Sequence, residues 1–408
     1  MLEIQRDTSG IDAVISQMHT TLQLVVAKRT GMQEYAQAHK VKISPLRRLP
    51  TEILGDIFIN ALPPFPCRLS NSEPPVLLEL VNRQWKDVAR STPALWSRID
   101  LDLQSNDVDR ESAIVSTRLA RSSQHPLWIS LRAPALYKPS YRGHPALALI
   151  IEQCERWHIV HLNFLPIYII EELAAVNGRL PVLEKLHVTT FGDEEEENST
   201  PFDAFALAPK LRHLESNSDI SRDIVTNKSL HLPWNDLTNL VIGLRRAADV
   251  LSILPQCHNL VRLQAHISNR PMAKSLDDVP PVHLAHLRSL FLTLPDFSTI
   301  LPKLILPTLT QVSLTPLRAR GPVAELWHTY SGFDTLLNQS GCTIRQLEIH
   351  DEWQRIKLRD LVGLLEVLPS VTELEVSEIL SDMLPHIFAD HENIKNTIGI
   401  HCNNTNII

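Results

Sequence analysis

The sequence predicts an α/β repeat solenoid preceded by a small all-α module and an N-terminal helix. Three observations carry this reading: a leucine-rich string recurring from Trp157 to Val376, two proline-bounded helical stretches between Ile43 and Trp96, and a seven-residue apolar step through residues 1–42. Hydrophobic residues at 44% against 21% charged supply enough apolar material for a sizeable core and exclude wholesale disorder. Basic side chains number 39 against 46 acidic, a net charge of −7 with no basic block, so neither nucleic acid nor a membrane surface is expected as a partner. No run approaches the roughly 18 apolar residues of a membrane span, and a soluble chain is expected.

The first element spans residues 1–42. Ile4, Ile11, Met18, Val25 and Met32 repeat at seven-residue steps, with Ile15 and Leu22 on a neighbouring line, which makes one apolar stripe on a helix. Asp7, Thr21 and Lys28 occupy the positions where a second coiled-coil seam wants apolar groups. Two readings follow: a single helix laid against the body of the protein or a frayed leader, or a helix that self-associates or takes a helical partner. Pro45 disfavours helical geometry at Ser44, so a bend is expected there.

Residues 43–100 form the second element. Leu49-Pro50 fixes the entry of a helix, because proline in the first turn loses no needed hydrogen bond. Ile53, Leu54, Ile57, Phe58 and Leu62 recur at helical spacing until Pro63-Pro64, and a turn-rich loop runs to Pro75. One helix from Val76 to Arg90 is predicted next, with Leu77, Leu80, Val81, Trp85, Val88 and Ala89 on one side and Arg83, Lys86, Asp87 and Arg90 largely opposite. Pro93 stops it and Leu95-Trp96 closes the unit.

The strings Leu49-Pro50-Thr51-Glu52-Ile53-Leu54, Ile57-Phe58, Val81-Asn82-Arg83-Gln84-Trp85 and Thr92-Pro93-Ala94-Leu95-Trp96 together resemble the F-box motif. The resemblance covers about residues 43–100, with Asn82 where the family commonly has cysteine. It implies docking on the Skp-family adaptor, and through it a cullin, with Leu49, Pro50, Ile53, Leu54, Ile57, Phe58, Leu80, Val81 and Trp85 as the adaptor-binding residues. The rest of the chain would then capture a protein substrate, as the substrate-recognition subunit of a cullin–RING (SCF-type) ubiquitin ligase.

Residues 101–408 make the third element. Trp96, Ile99, Leu101 and Leu103 alternate with polar residues, as do Leu127, Ile129 and Leu131, and both read as strands. The form L-x-x-L-x-L then starts at Trp157, Leu183, Leu211, Leu237, Leu260, Leu287, Leu309, Ile344 and Val371, at steps of 26, 28, 26, 23, 27, 22, 35 and 27 residues. Those steps lie near the roughly 20–29 residues of a leucine-rich repeat. Helical stretches such as Ala247–Leu254, Phe297–Leu301 and Leu361–Leu368 fill the gaps, so each unit should pair a strand with a helix. The positions of the usual asparagine ladder hold Phe191, Asp219, Arg245, Ser268, Pro295, Leu317, Glu352 and Ile379, so that ladder is missing.

Alternation within each strand sends the leucines to the core and the intervening residues to the opposite face. That face collects His161, Asn163, Lys185, His187, His213 and Glu215 early, Arg262, Gln264, His266, Ser289, Phe291 and Thr293 in the middle, and Gln346, Glu348, His350, Glu373 and Glu375 late. Lys185, His187, Arg262, Gln264, Phe291, Glu348, Glu373 and Glu375 are the candidate substrate-binding residues. Phe291 is expected as an exposed aromatic anchor, and the acidic late rows favour a substrate segment carrying Lys or Arg.

The sequence holds no G-x-G-x-x-G, P-loop, G-x-S-x-G or C-x-x-C string, so no catalytic residue, metal or cofactor is expected and the chain is read as a non-enzyme. His158 with His161 and His283 with His286 are the nearest histidine pairs; the first lies on a predicted strand, where a three-residue offset puts the side chains on opposite faces, and the second lacks any nearby Cys. Cys67, Cys154, Cys257, Cys342 and Cys402 are odd in number and dispersed, which points to a reducing compartment. Met1 leads into Glu3, Arg6 and Asp7 without an apolar h-region, so the expected location is cytoplasm or nucleus. The run Asp193-Glu194-Glu195-Glu196-Glu197 reads as a solvated loop. A scaffold acting outside ubiquitination is the alternative function, and a hydrolase hidden in the repeats a third.

Overall fold

In the computed structural model, residues 2–43, 49–66, 73–103, 107–133, 143–165, 169, 172–190, 203–217, 231–244, 246–268, 279–317, 329–351, 358–377 and 399–403 are described. The bend at Ser44-Pro45, the acidic run at 193–197 and the ladder positions Phe191, Asp219, Arg245, Glu352 and Ile379 lie outside them.

Helix α1 (Leu2–Ile43) is continuous. Every described side chain from Thr8 to Ala36 is exposed, so the reading of a helix laid against the body is overturned over that stretch. Helices α2 (Thr51–Asn60), α3 (Val76–Val81) and α4 (Arg83–Ser91) and a 3-10 turn (Pro93–Trp96) then build a small core. Leu54, Phe58, Leu78, Val88, Ala89, Leu95 and Trp96 are buried together, with Ile59, Leu62 and Trp85 packed around them. Gly55 lets α2 come close, since a Cβ there would lie 3.3 Å from Thr92 Oγ1.

The single helix expected over 76–90 is two. Asn82 is extended (φ −164°, ψ 174°), and its side-chain oxygen accepts from the Trp85 N–H at 2.9 Å, capping α4. A short polar side chain that satisfies an orphan N–H favours starting a new helix over continuing the old one. The break changes which face is buried: Leu78 goes inside, whereas Leu77, Leu80 and Val81 stay 42%, 73% and 51% exposed.

Strands β1 (Arg98–Asp102), β2 (Leu127–Arg132), β3 (Trp157–Leu165), β4 (Lys185–Thr190), β5 (His213–Asn217), β6 (Asn239–Leu244) and β7 (Arg262–Ile267) begin one parallel sheet. After a short strand β8 (Val282–His283) it continues through β9 (Ser289–Leu294), and after β10 (Leu304–Ile305) through β11 (Gln311–Pro316), β12 (Gln346–Ile349), β13 (Glu373–Ser377) and β14 (Gly399–Asn403). Twelve strands lie in chain order, and β8 pairs with β10 separately. Each of the nine expected repeat strands is present, together with β1, β2 and the unforeseen β14. The chain is therefore an α/β protein with one large parallel sheet.

Register makes the leucines a continuous line: Leu186, Leu214, Leu240, Leu263, Leu290, Val312, Leu347 and Leu374 are successive partners across β4 to β13. All of them belong to one buried cluster running the length of the sheet. Helices α5 (Val108–Arg121), α6 (Pro145–Glu152), α7 (Ala247–Ile253), α8 (Thr329–Ser340) and α9 (Leu358–Val367) occupy some of the crossings. The expected helix at 297–301 is instead a pair of 3-10 turns, and the described part of the crossing before β6 carries the 3-10 turn Trp234–Asp236. This pair of turns, with Phe297, Ile300 and Leu301 buried, covers the strand leucines without a full helix.

The helical unit is fastened to α5. Arg121 stacks its guanidinium 4.2 Å from the Trp96 ring and reaches Glu79 at 2.5 Å, and Glu79 also accepts from Arg90. The Trp96 indole N–H donates to the Ala89 carbonyl at 2.8 Å, holding the pivot in place.

Candidate functional site

The polar face of the sheet is ordered by register into rows. One row runs Asp100, Ser130, His161, His187, Glu215, Val241, Gln264, Phe291, Ser313, Glu348, Glu375 and His401 across all twelve strands. The adjacent row carries Lys185, His213, Asn239, Arg262, Ser289, Gln311, Gln346 and Glu373 from β4 to β13. All eight candidate substrate residues lie on these two rows. With about 4.8 Å between strands, Lys185 and Arg262 are roughly 14 Å apart, and Arg262 and Glu373 roughly 19 Å. The candidates line one long surface rather than converging on one pocket.

Arg262, Gln264 and Phe291 do come together. The Arg262 guanidinium lies 4.2 Å from the centroid of the Phe291 ring on the next strand. Phe291 is half-buried under that cation, a correction to the free anchor expected from the sequence. Arginine on an aromatic face is attracted by the ring quadrupole, and here it presents a combined apolar and cationic spot.

The acidic end is internally bonded. Gln311 Nε2 donates to Glu348 Oε1 at 2.8 Å, Gln346 Nε2 donates to Glu373 Oε2 at 2.5 Å, and Ser289 Oγ donates to Gln311 Oε1 at 2.9 Å. Hydrogen bonding from His350 first, with Gln311 and Ser313 assisting against burial, holds the Glu348 carboxyl below its usual range. Glu348 is thus committed to its neighbours, whereas Glu373 is exposed and Glu375 half-buried.

The early rows contain what the sequence reading missed. His161 and His187 stack at 5.1 Å between centroids, and a Glu215 carboxylate oxygen lies 3.3 Å from His187 Nδ1. Phe65, from the segment after α2, sets its edge on Trp128 at 5.6 Å and on His161 at 5.1 Å. Arg98 covers the same Trp128 ring at 4.6 Å and donates to the Pro63 carbonyl at 2.7 Å. Asp100 pairs with Arg132 beside them, and burial holds its carboxyl above the usual range despite Arg132 and Ser130. The chain itself therefore covers the β2–β3 end of the polar face. Alternation marks Trp128 as facing this side, but nothing local in Phe65 announces a contact so far along the chain.

His158 contacts the Val182 carbonyl while His161 stacks on His187, so that pair does not converge. No three His, Cys, Asp or Glu side chains come together as metal ligands among the described residues. Cys154 and Cys257 are buried, and burial pushes the Cys257 thiol up to about 12, so it stays protonated. At the entry edge of the strands, Arg212, Asp236, Thr238, Asn259, His286 and Arg288 line an open cleft of about 540 Å³.

Of the nine candidate adaptor residues, Leu54 and Phe58 are core and cannot meet a partner, which corrects the expectation for both. Trp85 is half-buried, 4.9 Å from the Phe58 ring, and Leu49 is also half-buried. Pro50, Ile53, Ile57, Leu80 and Val81 are exposed. Helical spacing located the apolar stripe of α2 but could not divide it: Leu54 and Phe58 face α4, and Ile53 and Ile57 are left outside at 47% and 46% exposure.

Fold and face together define the class: an α/β protein built on one extended parallel sheet with a polar, register-ordered face. No family model matches the chain, and no curated protein matches it. The crystal structure of a Bacteroides fragilis protein, a structural-genomics target, is similar over 59% of this chain and 72% of its own, at 15% identity and a TM-score of 0.32. No helix among the described residues is long and apolar enough to cross a membrane.

Proposed function

We propose that this chain is the substrate-recognition subunit of a cullin–RING (SCF-type) ubiquitin ligase, with residues 43–100 as an F-box that docks a Skp-family adaptor. In this reading the sheet is a leucine-rich-repeat-like solenoid whose polar face takes the protein substrate. The observation that carries the proposal is the surplus of apolar side chains on the helical unit. Its core is complete with Leu54, Phe58, Leu78 and Val88, yet Ile53, Ile57, Leu77, Leu80 and Val81 remain 42–73% exposed. A small module with apolar side chains left outside a finished core is suited to a protein partner. The two readings of the chain, ligase receptor and scaffold outside ubiquitination, share the polar face and differ at the adaptor. Co-purification of the full chain with a Skp-family adaptor tests this, using Ile53→Asp and Leu80→Asp. Both positions are exposed, so the fold is expected to survive and adaptor binding to be lost. Absence of adaptor binding by the parent chain, or its retention by the variants, would overturn the assignment.

A further inference from the structure

The open cleft at the entry edge of the strands lies outside the two rows that hold the candidate substrate residues. Backbone hydrogen bonds set its inner row: the Thr238 N–H donates to the Arg212 carbonyl at 3.0 Å, Val261 to Thr238 at 2.8 Å, Arg288 to Val261 at 2.8 Å, Thr310 to Arg288 at 3.0 Å and Arg345 to Thr310 at 2.8 Å. Arg212, Thr238, Val261, Arg288, Thr310 and Arg345 therefore stand side by side, one residue ahead of β5, β6, β7, β9, β11 and β12. At about 4.8 Å per strand, Arg288 lies roughly 14 Å from Arg212 and roughly 10 Å from Arg345. The row carries three arginines and no carboxylate, in a chain whose net charge is −7.

What this row has left to offer a ligand is guanidinium. Its main-chain N–H groups are used on neighbouring carbonyls, and the Thr238 and Thr310 hydroxyls donate to the Arg212 and Arg288 carbonyls at 3.3 Å. Arg212 is half-buried, and its Nη1 donates to the Pro209 and Leu211 carbonyls at 3.1 and 2.9 Å, which fixes its position. Arg288 and Arg345 are exposed and make no side-chain hydrogen bond or ion pair among the described residues. Planar guanidiniums at set intervals suit carboxylates, which accept two parallel N–H bonds. Between Arg212 and Arg288, half-buried Val261 gives the cleft of about 540 Å³ an apolar lining.

An extended polypeptide advances about 3.3 Å per residue, so the two intervals correspond to steps of about four and three residues. A nucleic acid fits less well. It presents a phosphate at every nucleotide, which three arginines roughly 10–14 Å apart leave mostly unpaired, and Asp236 in the same cleft repels it. We propose that the entry edge from β5 to β12 is a binding site for an extended acidic polypeptide segment. Carboxylates about four and three residues apart meet Arg212, Arg288 and Arg345, and an apolar side chain between the first two enters the cleft over Val261. The site is separate from the polar rows and does not rest on the ligase reading. Ion pairs at an open edge are screened, so the binding is salt-dependent.

The probe is a fluorescein-labelled peptide, Glu-Gly-Val-Gly-Glu-Ser-Gly-Glu, with its reversed sequence for the other chain direction, titrated with the full chain and read by anisotropy. Saturable binding that weakens with salt is expected for one of the two. Arg288→Glu and Arg345→Glu, both at exposed positions, should each weaken it about tenfold with the thermal midpoint unchanged. Asp236→Asn should strengthen it. The Arg288→Glu chain should regain binding to a peptide whose middle glutamate is replaced by lysine, a rescue that a damaged fold cannot imitate. A peptide with the three glutamates adjacent keeps the charge but loses the spacing, and should bind about fivefold more weakly. No binding of either peptide by the parent chain at low salt, indifference to Arg288 and Arg345, equal binding of the adjacent-glutamate peptide, or equal binding of a thymidine octanucleotide would each overturn the proposal. Adaptor capture enters none of these readouts, so failure of one assignment leaves the other standing.

Discussion

His161 and His187 stack on adjacent strands with ring centroids 5.1 Å apart and planes 18° from parallel. Two imidazoles in that arrangement cannot both be charged without repulsion, and burial already disfavours charging the first. Burial, then the nearby His187 charge, lowers His161 from 6.5 to about 4, with Lys185 adding to the shift and Glu215 opposing it.

The pH consequence has a definite sign. Between pH 6.5 and about 4 the unfolded chain binds a proton at His161 that the folded chain refuses, so this position favours unfolding increasingly as pH falls through that window. Its full stabilising effect is present above pH 6.5. The thermal midpoint should therefore drop from pH 7 to pH 4, and more steeply in the parent than in His161→Asn. Parallel curves for the two proteins would refute the role of the stack. Glu348, held below the usual carboxylate range, acts at the lower pH end and is common to both.

At the centre of the polar face, Phe291→Ala removes a half-buried ring and the seat of Arg262. The loss of stability should be small, on the order of 1–2 kcal/mol, since the ring is only partly buried and the cation–π contact contributes about 0.5–1 kcal/mol. Quantitative proteomics of captured proteins should nevertheless show a changed set, with Arg262→Ala giving an intermediate pattern. An identical captured set would remove this spot from the recognition surface.

The acidic rows divide by how firmly they are held: Glu348 is bonded to Gln311 and His350, whereas Glu373 is exposed and takes a bond from Gln346. Glu373→Lys and Glu375→Lys should cut capture of basic partners and reduce the salt dependence of binding, measured by titrating ionic strength. Glu348→Lys should in addition lower the thermal midpoint, because it breaks the bonds with Gln311 and His350. Equal thermal effects for all three would contradict the division.

Within the helical unit, Asn82→Ala should cost about 1 kcal/mol by uncapping α4. Phe58→Ala, in the core, should cost about 3–5 kcal/mol, and Ile57→Ala, outside it, no more than about 0.5 kcal/mol. Denaturant melts of the three variants give the ranking directly. An Ile57 variant as unstable as the Phe58 one would mean that the two faces of α2 are wrongly divided.

The legible part of this protein is whatever repeats locally. Alternation around Leu186, Leu214, Leu240 and Leu263 placed both the buried line and the polar rows, because a strand sends neighbouring side chains to opposite faces wherever it occurs. The crossings were less legible. Phe297, Ile300 and Leu301 read equally as a helical stripe or as 3-10 turns, since three apolar residues at short spacing cover a strand either way.

By itself the sequence determined the nine repeat strands from Trp157 onward, the side of each strand that is buried, and the apolar stripes of α1 and α2. Each follows from periodicity within about ten residues, which is an intrinsic property of the chain. Only the tertiary structure decided that Leu54 and Phe58 are core while Ile53 and Ile57 are surface, that Asn82 splits one helix into two, that Phe291 lies beneath Arg262, and that Phe65 rests on Trp128 and His161. Those outcomes depend on which distant groups arrive at a given side chain. A local pattern specifies a face, and the packed neighbour selects which residue on it is covered.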